Sequence, residues 1–213
     1  MRQAIPLCWL MVSATMLMVS GAAAAEPAAE TRLFDGRSLD GWEGNAKFFR
    51  VEDGAIVAGN LKEKILNNEF LCSKQRFGDF ELRLKCKLEP ADANAGIQFR
   101  SERIPNHFEV KGYQADMGEK WWGKLYDESR RRTVLAEPAA EVLDKAVKPG
   151  DWNEYVIRCE GRHIQLWLNG VQTVDYTEPD ETLPATGIIG LQIHGGPPAE
   201  ARYKDITIKK LGS

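Results

Sequence analysis

Cysteine and histidine are scarce in this chain, at four and three among 213 residues. The cysteine spacing matches no zinc motif. Past Cys8, only Cys72, Cys86 and Cys159 remain, which permits at most one disulfide and leaves a thiol over. Cys86 and Cys159 fall on the apolar sides of strands, so they read as small buried hydrophobes. Also missing are a Gly-x-Ser-x-Gly elbow, a phosphate-binding glycine loop and a His-Glu-x-x-His helix. The Glu-x-Asp-x-x-Glu pattern of many sandwich-fold glycosidases is absent, so hydrolysis by two facing carboxylates has no evident pair to run it. There is no acidic calcium loop. The net charge is only −3, with basic residues scattered among acidic ones. Nothing in that balance offers a surface to nucleic acid or to a membrane.

One long apolar run is present, at the N-terminus. Arg2 precedes an apolar stretch from Ile5 to Val19 and small residues from Ala22 to Ala25. The pattern is that of a secretory signal over 1–25, cleaved near Ala24 or Ala25. It implies a periplasmic or secreted protein with no membrane association after cleavage. A short tether over 26–31 is expected next, then a single domain over 32–213, long enough to bury a sizeable core.

That domain is written in strands. Phe48–Glu52 and Ala55–Ala58 flank Asp53-Gly54, a two-residue hairpin signal. From Asp79 to Glu89 apolar and charged residues alternate, as in a strand with one wet face. Ala95–Ser101, His107–Met117, Asn153–Cys159, Arg162–Leu168, Val171–Tyr176, Gly187–His194 and Tyr203–Leu211 continue the series. Only Ala139–Val147 has helical composition, ended by Pro149-Gly150. The expectation is an all-β single domain, a jelly-roll β-sandwich with a concave sheet and minor helix.

Within it, residues 94–132 place long hydrogen-bonding side chains beside glycines and aromatics. Such a sheet suits a polar ligand with apolar faces, of which sugars are the common example. Gln98 and Arg100 share a strand face, as do Gln114 and Asp116, and Gln192 and His194. Together they offer amides, a guanidinium, a carboxylate and an imidazole. Glu109 and Lys111 have the parity opposite to Gln114, unless Gly112 introduces a bulge that realigns them. Trp121 and Trp122 sit in a polar loop, where an indole can stack on a sugar face. Tyr126 and Glu128 lie close enough to reach the same ligand. The run Asp127 to Arg132 reads as a solvated surface, and Trp42, Trp152 and Trp167 as structural. Arg100 pairing Glu102, a structural His194 and a turn-forming Asp116 are the ordinary alternatives.

Eight segments in order carry a resemblance to a known family. They are LFDGRSLDGW (33–42), FFRVEDGAIVAG (48–59), FGDFELRLKCKL (77–88), NAGIQFRS (94–101), VKGYQADMGEKWWGKLYDESRR (110–131), DWNEYVIRCEG (151–161), IQLWLNG (164–170) and GIIGLQIHGG (187–196). Over 33–211 the chain resembles the 3-keto-disaccharide hydrolase family, formerly a domain of unknown function. One departure is Ala95, where many members carry Ser. The resemblance implies a concanavalin-like, lectin-like jelly roll and cleavage of glycosides already oxidised at C3. The ketone acidifies the C2 proton, a base removes it, the C1 substituent leaves by β-elimination, and water adds, here or in a partner enzyme. On that reading His194 or Asp116 is the base, and Arg100 with Gln98 or Gln114 holds the oxyanion. Lys111, Glu109 or Tyr126 assists the leaving group, while Gln192, Trp121, Trp122 and Glu128 complete the substrate surface. No cofactor is expected; a divalent ion on Asp116, Glu109 and His194 is chemically feasible but not demanded by the spacing. The implied partners are an oligosaccharide or 3-keto-glycoside substrate and an upstream sugar 3-dehydrogenase. The alternative from another class is a non-catalytic carbohydrate-binding module.

Overall fold

The computed structural model describes residue 1 and residues 29–212. Apart from Met1, the expected signal segment, with Cys8, and the first half of the expected tether lie outside them. The chain forms β1 (Glu30–Arg32), β2 (Trp42–Glu43), β3 (Phe49–Glu52), β4 (Ala55–Asn60) and β5 (Glu69–Phe77). Next come β6 (Phe80–Glu89), β7 (Ala95–Arg103), β8 (Val110–Met117), β9 (Leu125–Glu128), β10 (Val134–Ala136) and the helix α1 (Ala140–Ala146). Last are β11 (Asn153–Glu160), β12 (His163–Leu168), β13 (Val171–Thr177), β14 (Gly187–Ile193) and β15 (Ala199–Lys210).

The strands pack as two antiparallel sheets. One runs β13-β12-β11-β6-β15-β4-β3, with β1 also on β15; the other runs β10-β9-β8-β7-β14-β5-β2. Glu30 and Thr31, which fall within the expected tether, pair with Lys209 and Ile208. Turn chemistry sets several registers. Asp53 and Gly54 take φ of 50° and 72°, and Asn169 and Gly170 take 49° and 82°; two successive left-handed residues match the twist of the strands they join. β6 alternates as its sequence requires, with Phe80, Leu82, Leu84, Cys86 and Leu88 in the core. β5 shows no such alternation because both its faces are covered: Leu71 joins the main core, while Phe70 and Cys72 pack with Val110 and Ile188 on the sheet's outer side. That two-sided burial hides its period in the sequence. The three described cysteines are free and buried, and burial pushes the Cys72 and Cys159 thiols up to about 12. Among the described residues no helix is long and apolar enough to cross a membrane.

Two core tyrosines tie the sheets together by more than packing. Tyr155, on β11, donates from its hydroxyl to the Asp116 carbonyl at 2.6 Å and accepts from the Gly123 N–H at 2.7 Å. Tyr203, on β15, donates to the Gln192 carbonyl at 2.5 Å. Both side chains are fully buried. The first sheet therefore holds the backbone of the second at β8 and β14, the strands that carry the most interesting side chains.

Candidate functional site

The outer face of the second sheet is lined by amides. Gln98 on β7 lies directly across from Gln114 on β8, and Gln114 lies across from Tyr126 on β9. Directly paired residues share a face. The side chains form a directed relay: Ser101 donates to Gln98 Oε1 at 2.8 Å, Gln98 Nε2 to Gln114 Oε1 at 2.6 Å, and Gln114 Nε2 to Asp116 Oδ1 at 2.5 Å. Each amide has its oxygen toward the previous donor and its nitrogen toward the next acceptor, so neither can flip without breaking two bonds. Gly96 makes this possible. A Cβ there would lie 2.5 Å from Gln114 Cδ, so only glycine lets Gln114 lie flat across β7.

The relay ends on Asp116, which is 3% exposed. Its Oδ1 takes the Gln114 bond, while Oδ2 is buried without a partner. Burial, with a smaller push from the Glu128 charge, raises this carboxyl to about 8; the Gln114 bond and Lys124 oppose the shift. Removing a carboxylate from water favours its neutral form. At neutral pH Asp116 is therefore mostly an acid, with an O–H to give.

Around Asp116 is a cleft of about 150 Å³ lined by Asn94, Gln114, Asp116, Trp121, Tyr126, Glu128 and His194. Trp121 is partly exposed and meets Tyr126 edge-to-face at 6.0 Å, with Lys124 Nζ 5.5 Å from its ring centre. His194 Nδ1 lies 2.7 Å from the Gly195 carbonyl. A carbonyl can only accept, so Nδ1 carries a proton, and in the neutral ring Nε2 is the nitrogen with the lone pair. The His194 backbone N–H bonds the Asn94 carbonyl at 3.2 Å, fixing these two residues side by side. Glu128 is raised to about 6, first by burial and then by the neighbouring Glu109 charge. Glu109 stands at the margin, its carboxylate accepting from Asn68 Nδ2 at 3.0 Å and from the Ser129 hydroxyl at 3.3 Å. Among the described residues no three His, Cys, Asp or Glu side chains converge as a metal-binding group, so Asp116, Glu109 and His194 do not meet as a ligand set.

Several expected site residues lie elsewhere. Arg100 is not in the cleft. It sits in a bulge between Phe99 and Glu102 with φ of 45°, and this turns its side chain off the face that parity assigns it. The buried guanidinium instead bonds the Gly78 carbonyl at 3.1 Å, the Gly161 carbonyl at 2.6 Å and Asp79 Oδ1 at 2.7 Å. It is a strut between the β5–β6 and β11–β12 turns. Lys111 is exposed and lies 3.5 Å from Glu102, away from the ligand face. Trp122 is core: 5% exposed and stacked on Tyr155 at 6.2 Å. Gln98 and Gln192 are fully buried, beneath the cleft rather than lining it.

The charged run is not simply solvated either. Asp127 has no exposure; it takes Arg130 at 2.9 Å and also pairs with Arg131, which reaches Glu178 at 2.7 Å. Tyr113 donates to the same Glu178 at 2.7 Å. Despite the cost of its burial, Glu178 is held down at about 2 by Arg131 and Tyr113. Trp42 is core and bonds the Leu33 carbonyl, whereas Trp152 and Trp167 are half-buried, Trp152 under Lys204 and Trp167 paired with Val156 of the first sheet. One cleft residue escaped sequence reasoning. Asn94 precedes β7 and carries no periodic signal; its position in the NAGIQFRS segment was the available hint.

No match was found among curated proteins. Among solved structures, a candidate glycosyl hydrolase from Parabacteroides distasonis ATCC 8503 aligns over 86% of this chain and 94% of its own, with a TM-score of 0.65 at 19% identity. The carbohydrate binding module CBM66 from Bacillus subtilis aligns over 80% and 96%, with a TM-score of 0.61 at 16% identity. A galectin-like protein from Bacillus subtilis aligns over 85% and 94%, with a TM-score of 0.62 at 11% identity. At such identities these likenesses establish the lectin-like sandwich and no more. The family match is of another kind, since the 3-keto-alpha-glucoside-1,2-lyase-like domain covers residues 29–209. The chain belongs to that carbohydrate-active family.

Proposed function

We propose that this domain cleaves 3-keto-glycosides by β-elimination across C1 and C2, followed by addition of water. The observation that carries the reading is the pairing, in one cleft, of an imidazole with a buried carboxyl that has one unpartnered oxygen. Asp116 offers an O–H at Oδ2 and His194 a lone pair at Nε2. Removing the C2 proton puts negative charge on the C3 oxygen. A carboxylic acid kept neutral by burial is a donor suited to that oxygen, and its strength is felt most as charge develops. His194 is the base, and as imidazolium it returns a proton to the leaving oxygen. Trp121 packs on the apolar face of the sugar ring, while Asn94, Tyr126 and Glu128 take its hydroxyls. The ketone requires an upstream sugar 3-dehydrogenase. The N-terminal signal pattern supports export, read by whether the protein recovered from cells begins near Glu26.

The test is methyl 3-keto-glucoside, both anomers, deuterated at C2. Wild type is expected to release methanol with a primary isotope effect, and His194→Ala to lose about 10² to 10⁴ in rate. Failure of wild type to turn over any 3-keto-glucoside sinks the reading. Trp121, exposed beside Tyr126, equally suits a binding module. Retention of unoxidised glycans without turnover would favour that second reading, which gives no role to the neutral Asp116.

A further inference from the structure

A second groove, of about 310 Å³, adjoins the cleft and shares Asn94 and His194 with it. We infer that this groove receives the leaving group, and that it is built for an aryl aglycone rather than a second sugar. The inference rests on the function proposed above.

The groove's chemistry is defined by what it cannot donate. Three of its lining residues are prolines, Pro90, Pro197 and Pro198, which have no N–H. Three neighbouring backbone amides are already spent. The Ala93 N–H bonds the Pro90 carbonyl at 3.0 Å, Gly195 bonds Asn68 Oδ1 at 2.9 Å and Gly196 bonds the Ile65 carbonyl at 2.8 Å. The His194 N–H is engaged by Asn94, as described. Asp92 is exposed and only accepts. The Asn94 amide is thus the side-chain donor left, since the His194 Nδ1–H is taken by the Gly195 carbonyl, and it stands on the wall shared with the sugar cleft. A pyranose could give one or two hydroxyl protons to Asp92, but hydroxyls set against the proline rings would find no partner, each costing about 1–3 kcal/mol. A flat aromatic ring needs no donors and packs well on prolines.

The chemistry agrees with the geometry. His194 Nε2 takes the C2 proton, the C2–H electron pair becomes the C1=C2 bond, and the C1–O pair departs with the aryl oxygen. Imidazolium then gives the proton back, so the products are a phenol and an unsaturated 3-keto sugar, to which water adds. A phenol ionises near pH 10, as tyrosine does, so this oxygen leaves with modest help. That matches a groove whose single proton carrier is His194.

The experiment compares KM for the methyl, phenyl and glucosyl 3-keto-glucosides, the last as 3-keto-trehalose, in both anomers where they exist. The phenyl substrate is expected to have a KM at least tenfold below the glucosyl one, and free phenol to inhibit competitively where glucose does not. Gly196 lines the groove and has open space where a Cβ would go, with an ordinary φ, so Gly196→Phe adds a ring there without a backbone clash. It is expected to lower the phenyl-to-methyl ratio of kcat/KM about tenfold. Equal KM values for phenyl and glucosyl substrates, or an unchanged ratio in Gly196→Phe, overturn this inference and leave the elimination reading standing. No turnover of any of the three overturns both.

Discussion

The substitution Asp116→Asn tests the neutral carboxyl without touching substrate. The asparagine side chain keeps an acceptor for Gln114 and puts an amide nitrogen where the protonated oxygen stood, so the packing is preserved. In the unfolded chain Asp116 ionises at its ordinary value of 3.8, and in the fold at about 8. Between those values the native state holds a proton that the unfolded state has released, so stability falls as pH rises. It is flat below 4 and flat again above 8. Each pH unit in the window is about 1.4 kcal/mol, so the wild type loses up to about 4 kcal/mol between pH 4 and pH 7. Water penetration and relaxation reduce that to roughly 2–4 kcal/mol. The variant has no such loss. Its stability advantage should therefore grow from near zero at pH 4 to about 2–4 kcal/mol at pH 7, or about 5–15 °C in Tm for a domain of this size. Urea unfolding of both proteins, followed by tryptophan fluorescence between pH 4 and pH 9, measures it. If the two stability curves run parallel across that range, Asp116 is ionised in the fold and the acid role assigned to it is wrong.

Four further outcomes are expected. Arg100→Met removes three bonds and leaves two carbonyls without their donor, while Asp79 keeps the Gly161 N–H, so chemical denaturation should show a loss of about 2–4 kcal/mol, with kcat of the folded protein unchanged. Trp121→Ala should raise KM about tenfold, equivalent to about 1.4 kcal/mol, and leave kcat within a factor of a few. Tyr155→Phe should cost about 1–3 kcal/mol in urea unfolding, since the Gly123 N–H loses its buried acceptor and the Asp116 carbonyl its donor. Glu109→Gln removes the charge that helps hold Glu128 near 6; the acidic limb of any pH profile governed by Glu128 should then move to lower pH.

How much of this was legible in the sequence depends on where the backbone is regular. β6 announces itself because one face is wet, and the Asp53-Gly54 hairpin because two residues must be left-handed. The two-residue rule that groups Gln114 with Asp116 works on an unbroken strand, and the structure gathers Gln114, Asp116, Trp121, Tyr126, Glu128 and His194 round one cleft. The same rule fails at Arg100, where a single bulge reverses the direction of the longest side chain in the set. Trp121 and Trp122 are neighbours with opposite fates, because the loop turns one ring to Tyr126 and the other to Tyr155. The run from Asp127 to Arg131 looks solvated until Glu178, about fifty residues on, is brought against it. Such pairing over distance leaves no periodic trace.

The hydroxyls of Tyr155 and Tyr203 have a consequence for how the protein fails under heat. Because each grips the backbone of β8 or β14 from the opposite sheet, the cleft cannot loosen while the two layers remain in register. Whatever the cleft binds or turns over should be lost only as the sandwich itself melts, with no warm interval in which an intact fold carries a slack pocket.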